Sequence, residues 1–136
     1  MQKDIMEAYY AKEEDLDTRN YHIRLFDRSA IDPIVYSILT SQNREEAQAR
    51  KTLLVRTAAF AKALSKYKSK DSIVILLKTV PEWLVDDGVR SLERQDDCLK
   101  IFRELLAELQ ISYREFGEES KFLEERVTVT MGLAGL

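Results

Sequence analysis

The sequence predicts a mixed α/β fold, a three-layer αβα domain built on a small parallel sheet of about three strands. Two observations predict it. Residues 73–77, Ile-Val-Ile-Leu-Leu, form an unbroken apolar run rich in β-branched side chains, the pattern of a strand buried on both faces of a parallel sheet. Around that run, helical and strand-like stretches follow in the order α, β, α, α, β, α, β, α. Such alternation implies parallel strands joined by crossover helices.

Taken in order, residues 2–16 place Ile5, Met6, Tyr9 and Tyr10 at helical spacing among charges. Residues 17–20 break that pattern with turn formers. In residues 21–27, Ile23 and Leu25 alternate with His22 and Arg24, which predicts a half-buried strand closed by Asp27-Arg28-Ser29. Pro33 suits the first turn of a short helix to about Leu39, with Asp32 as its cap. Asn43, with Glu46 three residues on, predicts a capping box at the head of the longest helix. Its apolar stripe runs from Leu53 to Tyr67, and Lys66, Lys68 and Lys70 gather at its C-terminal end, where the helix dipole favours cations.

After the 73–77 strand, Pro81 ends the run, and a turn at Gly88 carries Trp83, Asp86, Asp87 and Arg90. A second amphipathic helix follows over residues 95–110, then a third short strand over 111–116, ended by Gly117. Residues 118–131 place Phe122, Leu123 and Val127 at helical spacing. Val127-Thr128-Val129-Thr130 also suits a strand, but a helix is the preferred reading.

The chain has 136 residues, which fits one domain spanning 1–136. A net charge of −3 and a pI near 5.3 offer no electrostatic reason for nucleic acid or an anionic membrane as a partner. Cys98 is the one cysteine, so no intrachain disulfide forms, which suits a reducing, cytoplasmic setting. The single histidine, His22, excludes a nucleophile–His–acid triad of the usual kind once no partner acid or nucleophile clusters with it, and no metal-ligand spacing stands out.

Three features in this order resemble the later part of P-loop kinases of the nucleoside and nucleotide type. Asp27-Arg28-Ser29 at a strand end is similar to their Asp/Glu-Arg-Ser/Tyr motif. The segment from Ile73 through Trp83-Leu-Val-Asp-Asp-Gly-Val-Arg90, with its following helix and the Gln110-Ile-Ser-Tyr113 turn, resembles the ATPase domain of NadR-type ribosylnicotinamide kinases and related AAA-like proteins. The resemblance implies a P-loop NTPase-like fold missing its first strands. It implies roles for Asp27 and Arg28 at substrate or phosphate, and a ligand-binding lid of Trp83, Asp86, Asp87, Arg90 and Arg94. Guanidinium forks at Arg28, Arg90 and Arg94 suit phosphoryl oxygens.

The family's Gly-x-x-x-x-Gly-Lys-Ser/Thr loop does not occur: none of the glycines at 88, 117, 132 and 135 precedes a lysine. That loop cradles the β and γ phosphates and holds magnesium. The expectation is therefore a catalytically inactive, truncated relative, a pseudoenzyme without cofactor acting as a binding or interaction module. The alternative is a kinase that uses ATP and magnesium, with its phosphate loop supplied by an N-terminal segment or another chain. A sheet reduced to three strands leaves open edges, so the expected partners are a second copy in a symmetric homodimer or another protein.

Overall fold

The computed structural model describes residues 2–18, 24–78, 92–117 and 123–133. The chain is mixed α/β and mostly helical, with a two-stranded parallel sheet among the described residues. Its elements run α1 (Gln2–Thr18), α2 (Asp32–Leu39), α3 (Arg44–Val55), α4 (Ala58–Tyr67), β1 (Ile75–Leu77), α5 (Leu92–Glu108), β2 (Arg114–Phe116) and α6 (Leu123–Leu133). They divide into two compact units, Met1–Lys66 and Tyr67–Leu136.

In the first unit α2 packs against both α1 and α3, and Met6, Ile31, Ile34, Val35, Leu54 and Phe60 are buried. The stripe anticipated on α1 forms, with Met6 buried and Ile5, Tyr9 and Tyr10 partly so. Glu13 continues that stripe seven residues after Met6 and is only 3% exposed. A carboxylate there needs a counter-charge, because a buried ion without one is costly. Lys66 near the end of α4 supplies it, with Nζ 3.7 Å from Glu13 Oε2. The same ammonium lies 5.5 Å from the centre of the Phe26 ring, within cation–π range.

The single long helix expected from residue 43 onward is two helices. Asn43 caps α3 as anticipated, its Oδ1 accepting from the Glu46 amide at 2.8 Å. Glu46 reaches back to the Gln42 amide at 3.2 Å and pairs with Arg50. The break comes at Arg56 and Thr57. Thr57 Oγ1 donates to the Leu54 carbonyl at 2.8 Å and accepts from the Phe60 amide at 3.2 Å. That hydroxyl satisfies an amide in the first turn of α4, which is what an N-cap does. The local signal was a threonine just before Ala-Ala-Phe-Ala; the continuous apolar stripe outweighed it. Arg50 closes the neighbouring turn, its Nη1 donating to Ser37 O at 3.3 Å at the C-terminal end of α2, where a cation is favoured.

The strand expected over residues 21–27 is not present at 24–26, which carry no strand pairing, while 21–23 lie outside the described residues. Alternation had placed Leu25 toward a core, yet Leu25 is 86% exposed. With Ile23 and Leu25 as the whole apolar side of the pattern, four or five residues of alternation were too few to specify a ladder partner. Among the described residues the sheet therefore has two strands where about three were expected.

In the second unit β1 and β2 pair in parallel with Ile75, Leu76 and Leu77 opposite Arg114, Glu115 and Phe116, and α5 makes the crossover between them. Leu76, Leu105, Leu106, Ile111 and Phe116 are buried. The return from α5 to β2 depends on Gln110, which adopts a left-handed φ of 58°. The Gln110 amide donates to Ala107 O at 3.1 Å and the Ile111 amide to Leu106 O at 2.9 Å. These two bonds make a Schellman turn, and its two hydrophobic positions, Leu106 and Ile111, are both buried. The tail forms helix α6, as preferred on spacing.

A non-glycine residue in the left-handed region costs about 1–2 kcal/mol, partly offset by the greater unfolded-chain entropy of glycine. Gln110→Gly is expected to raise stability by about 0.5–1 kcal/mol, seen as a higher urea midpoint with an unchanged slope. A lower midpoint would show that the Gln110 side chain matters more than its backbone.

Candidate functional site

Among the described residues two regions bear on the expected chemistry. The first precedes α2. Asp27 and Arg28 are exposed, and Arg28 has a φ of 79°, which l-residues seldom adopt. Asp32 is not the cap but the first residue of α2; the N-cap is Ile31, which has no side-chain cap. Ser29 Oγ accepts from the Ile31 amide at 3.2 Å, and Asp32 Oδ2 accepts from the Ser29 amide at 2.8 Å and from Ser29 Oγ at 3.2 Å, so these two side chains close the turn that leads into the helix. Pro33 follows in the first turn, where its missing N–H costs nothing. Burial pushes the Asp32 carboxyl above its ordinary value, against the bonds from Ser29 and the charge of Arg28, which act the other way. The N-terminal end of α2 thus already holds an internal carboxylate where an external anion would sit.

The second region is the β1–β2 sheet. Two ladder bonds fix its geometry: Arg114 N to Val74 O at 3.0 Å and Lys78 N to Phe116 O at 2.6 Å. Backbone groups of successive strand residues point to opposite edges. With Val74 and Lys78 turned toward β2, the N–H and C=O of Ile73, Ile75 and Leu77 point to the other edge. The side chains of Ile73 and Leu77 are 44% and 57% exposed, and only Leu76, at 8%, is buried in β1. The run expected to be buried on both faces is therefore covered on one. Its uniform composition hid this, since Ile-Val-Ile-Leu-Leu gives no polar position by which to tell faces apart. On the neighbouring strand Glu115 accepts from Arg103 Nε of α5 at 2.6 Å and lies 4.0 Å from Lys78 Nζ, so a charged bridge ties α5 to the middle of β2 and to the residue that follows β1.

The described residues hold only part of the anticipated site. Asp27 and Arg28 belong to the first unit. Trp83, Asp86, Asp87 and Arg90 lie outside the described residues, and Arg94 falls in α5 with its side chain outside them. Among the described residues no group of three or more His, Cys, Asp or Glu side chains is arranged to hold a metal ion, and no helix is long and apolar enough to cross a membrane. Compared with protein-family models, curated proteins and solved structures, the chain matches none.

The raised Asp32 value sets a sign for pH dependence. A carboxyl whose folded value exceeds its unfolded one favours folding in its protonated form, and that contribution is lost as pH rises through the folded value. Asp32→Asn keeps an acceptor for Ser29 and never ionises. Its stability relative to the parent is expected to improve as pH rises from below 3.8 to neutrality. Urea midpoints measured in pairs across that range check it; a gap moving toward the parent would mean that the bonds from Ser29 and the Arg28 charge outweigh burial.

Proposed function

We propose that the chain is an interaction module that binds a protein segment along the outer edge of β1, and that it does not catalyse phosphoryl transfer. The observation that carries this reading is the exposed apolar edge: Ile73 and Leu77 face solvent on a parallel sheet. Parallel sheets are normally covered on both faces, and two strands alone make a marginal sheet. Phe116 is buried while its register partner Leu77 is exposed, so cover on that face extends over β2 and stops short of β1. An added strand would take up the outward N–H and C=O groups of 73, 75 and 77 and shield both aliphatic side chains, which is the general mode of β-augmentation.

The resemblance to P-loop kinases enters as a statement of descent. It agrees with an α/β plan and with a chain whose sequence contains no Gly-x-x-x-x-Gly-Lys-Ser/Thr loop. Under this reading Arg28 contributes a structural charge beside Asp32, and ATP with magnesium is not a ligand.

A fluorescent synthetic peptide copying residues 71–78 is the probe. It is expected to bind the full chain at micromolar concentration, by anisotropy, and to lose that binding when Leu77 on the protein is replaced by Lys. Leu77 is exposed, so the substitution leaves the core intact. A parent that ignores the peptide, or a Leu77→Lys variant that binds it equally, would overturn the proposal.

A further inference from the structure

The edge of β1 also says which partner fits it. Resting on the reading just given, we infer that the occupant is a second copy of this chain, paired antiparallel through residues 73–77 with Ile75 on the two-fold axis.

Backbone parity restricts the register. Only the odd positions 73, 75 and 77 present N–H and C=O to the edge away from β2, where no other strand pairs among the described residues, since Val74 and Lys78 bond to β2. In an antiparallel pair, residues that exchange both hydrogen bonds lie directly opposite each other. Odd positions must therefore face odd positions. Centring on Ile75 sets Ile73 opposite Leu77 of the other copy, Leu77 opposite Ile73, and Ile75 opposite itself. The two most exposed aliphatic side chains of the segment then cover each other twice. Centring one pair further along either way leaves one of them uncovered. A surface that satisfies itself under a two-fold operation makes an isologous, closed dimer.

Charge agrees with this direction. The segment begins with exposed Asp71 and ends with Lys78, with Lys70 one residue further out. Antiparallel pairing brings the Asp71 end of one copy to the Lys78 end of the other, and Ser72 opposite Lys78, so no like charges are opposed within 71–78. Parallel pairing would set Lys78 beside Lys78, which is unfavourable. Because the segment is extended and pairs on one side only among the described residues, pairing needs no rearrangement of the β1–β2 ladder.

The test uses light scattering and site-directed cross-linking of the full chain in a Cys98→Ser background. The parent is expected at twice 15.8 kDa, and Leu77→Lys at 15.8 kDa. Opposed residues that exchange hydrogen bonds lie about 5.5 Å apart between Cα atoms, within disulfide range. Ile75→Cys should then cross-link under mild oxidation about tenfold faster than Ile73→Cys or Leu77→Cys, whose own copies lie about 13 Å apart along the strand. A parent mass of 15.8 kDa at micromolar concentration overturns the inference, and so does a dimer in which Ile73→Cys or Leu77→Cys cross-links as fast as Ile75→Cys. Capture of the 71–78 peptide by a monomeric parent would leave the edge-binding reading standing while the self-pairing fails.

Discussion

The second unit rests on the parallel ladder between residues 74–78 and β2. Parallel strands cannot be joined by a tight turn, so the ladder needs a crossover, and α5 provides one. The crossover must end where β2 can begin. Gln110 turns the chain through the left-handed region, and Leu106 and Ile111 bury the apolar side of that turn. Arg103, Glu115 and Lys78 then fasten the helix to β2 and to the residue that follows β1 from the outside. Remove the ladder and the turn loses its purpose; loosen the turn and the register between Ile75 and Arg114 has nothing to set it. The same ladder decides which backbone groups of β1 are left for the proposed partner, because those it uses on one side determine those on the other.

The first unit is organised by satisfied termini. Asn43 with Glu46, and Thr57, answer amides at the start of a helix, Ser29 and Asp32 close the turn that leads into α2, and Arg50 answers the Ser37 carbonyl at the end of α2. Between these ends the apolar stripes meet, with one charged exception at Glu13 and Lys66. Breaking such a buried pair by removing one partner typically costs about 3–5 kcal/mol, because the remaining charge is left without compensation. The pair therefore ties α1 to α4 more by what its loss would cost than by its net attraction. The Asp-Arg-Ser resemblance falls in this unit, where Ser29 and Asp32 bond to each other in the turn before α2 and Arg28 is exposed.

Helices were legible because their signals repeat. Four spaced apolar residues on α1, the stripe from Leu53 to Tyr67 that runs across α3 and α4, and the run from Cys98 to Leu106 on α5 each restate one periodicity several times. The parallel strand run at 73–77 was legible for composition and length. Its exposure was not, since five apolar residues in a row look alike from either face and only the ladder partners distinguish them. The pattern at 21–27 alternated correctly, but at the residues described, 24–27, no strand forms and Leu25 is exposed. The break at Thr57 lay within reach of the sequence, as a hydroxyl residue before an apolar turn. The kinase-like resemblance rests on motif order, and the side chains of its lid residues lie outside the described residues; Asp27 and Arg28, which are described, are exposed, with the Arg28 charge beside Asp32.

The account stands or falls on whether the odd-numbered edge of β1 is open in the isolated chain and closed by a second copy. Amide hydrogen exchange by NMR, residue by residue over 73–78 and at several protein concentrations, tests this directly. At the lowest concentration the amides of Leu76 and Lys78 should be protected by β2 while those of Ile73, Ile75 and Leu77 exchange quickly. As concentration rises, protection at the three odd positions should rise with it. Protection of the odd amides that is already full at the lowest concentration, and independent of dilution, would show that the chain covers its own edge and would contradict the account.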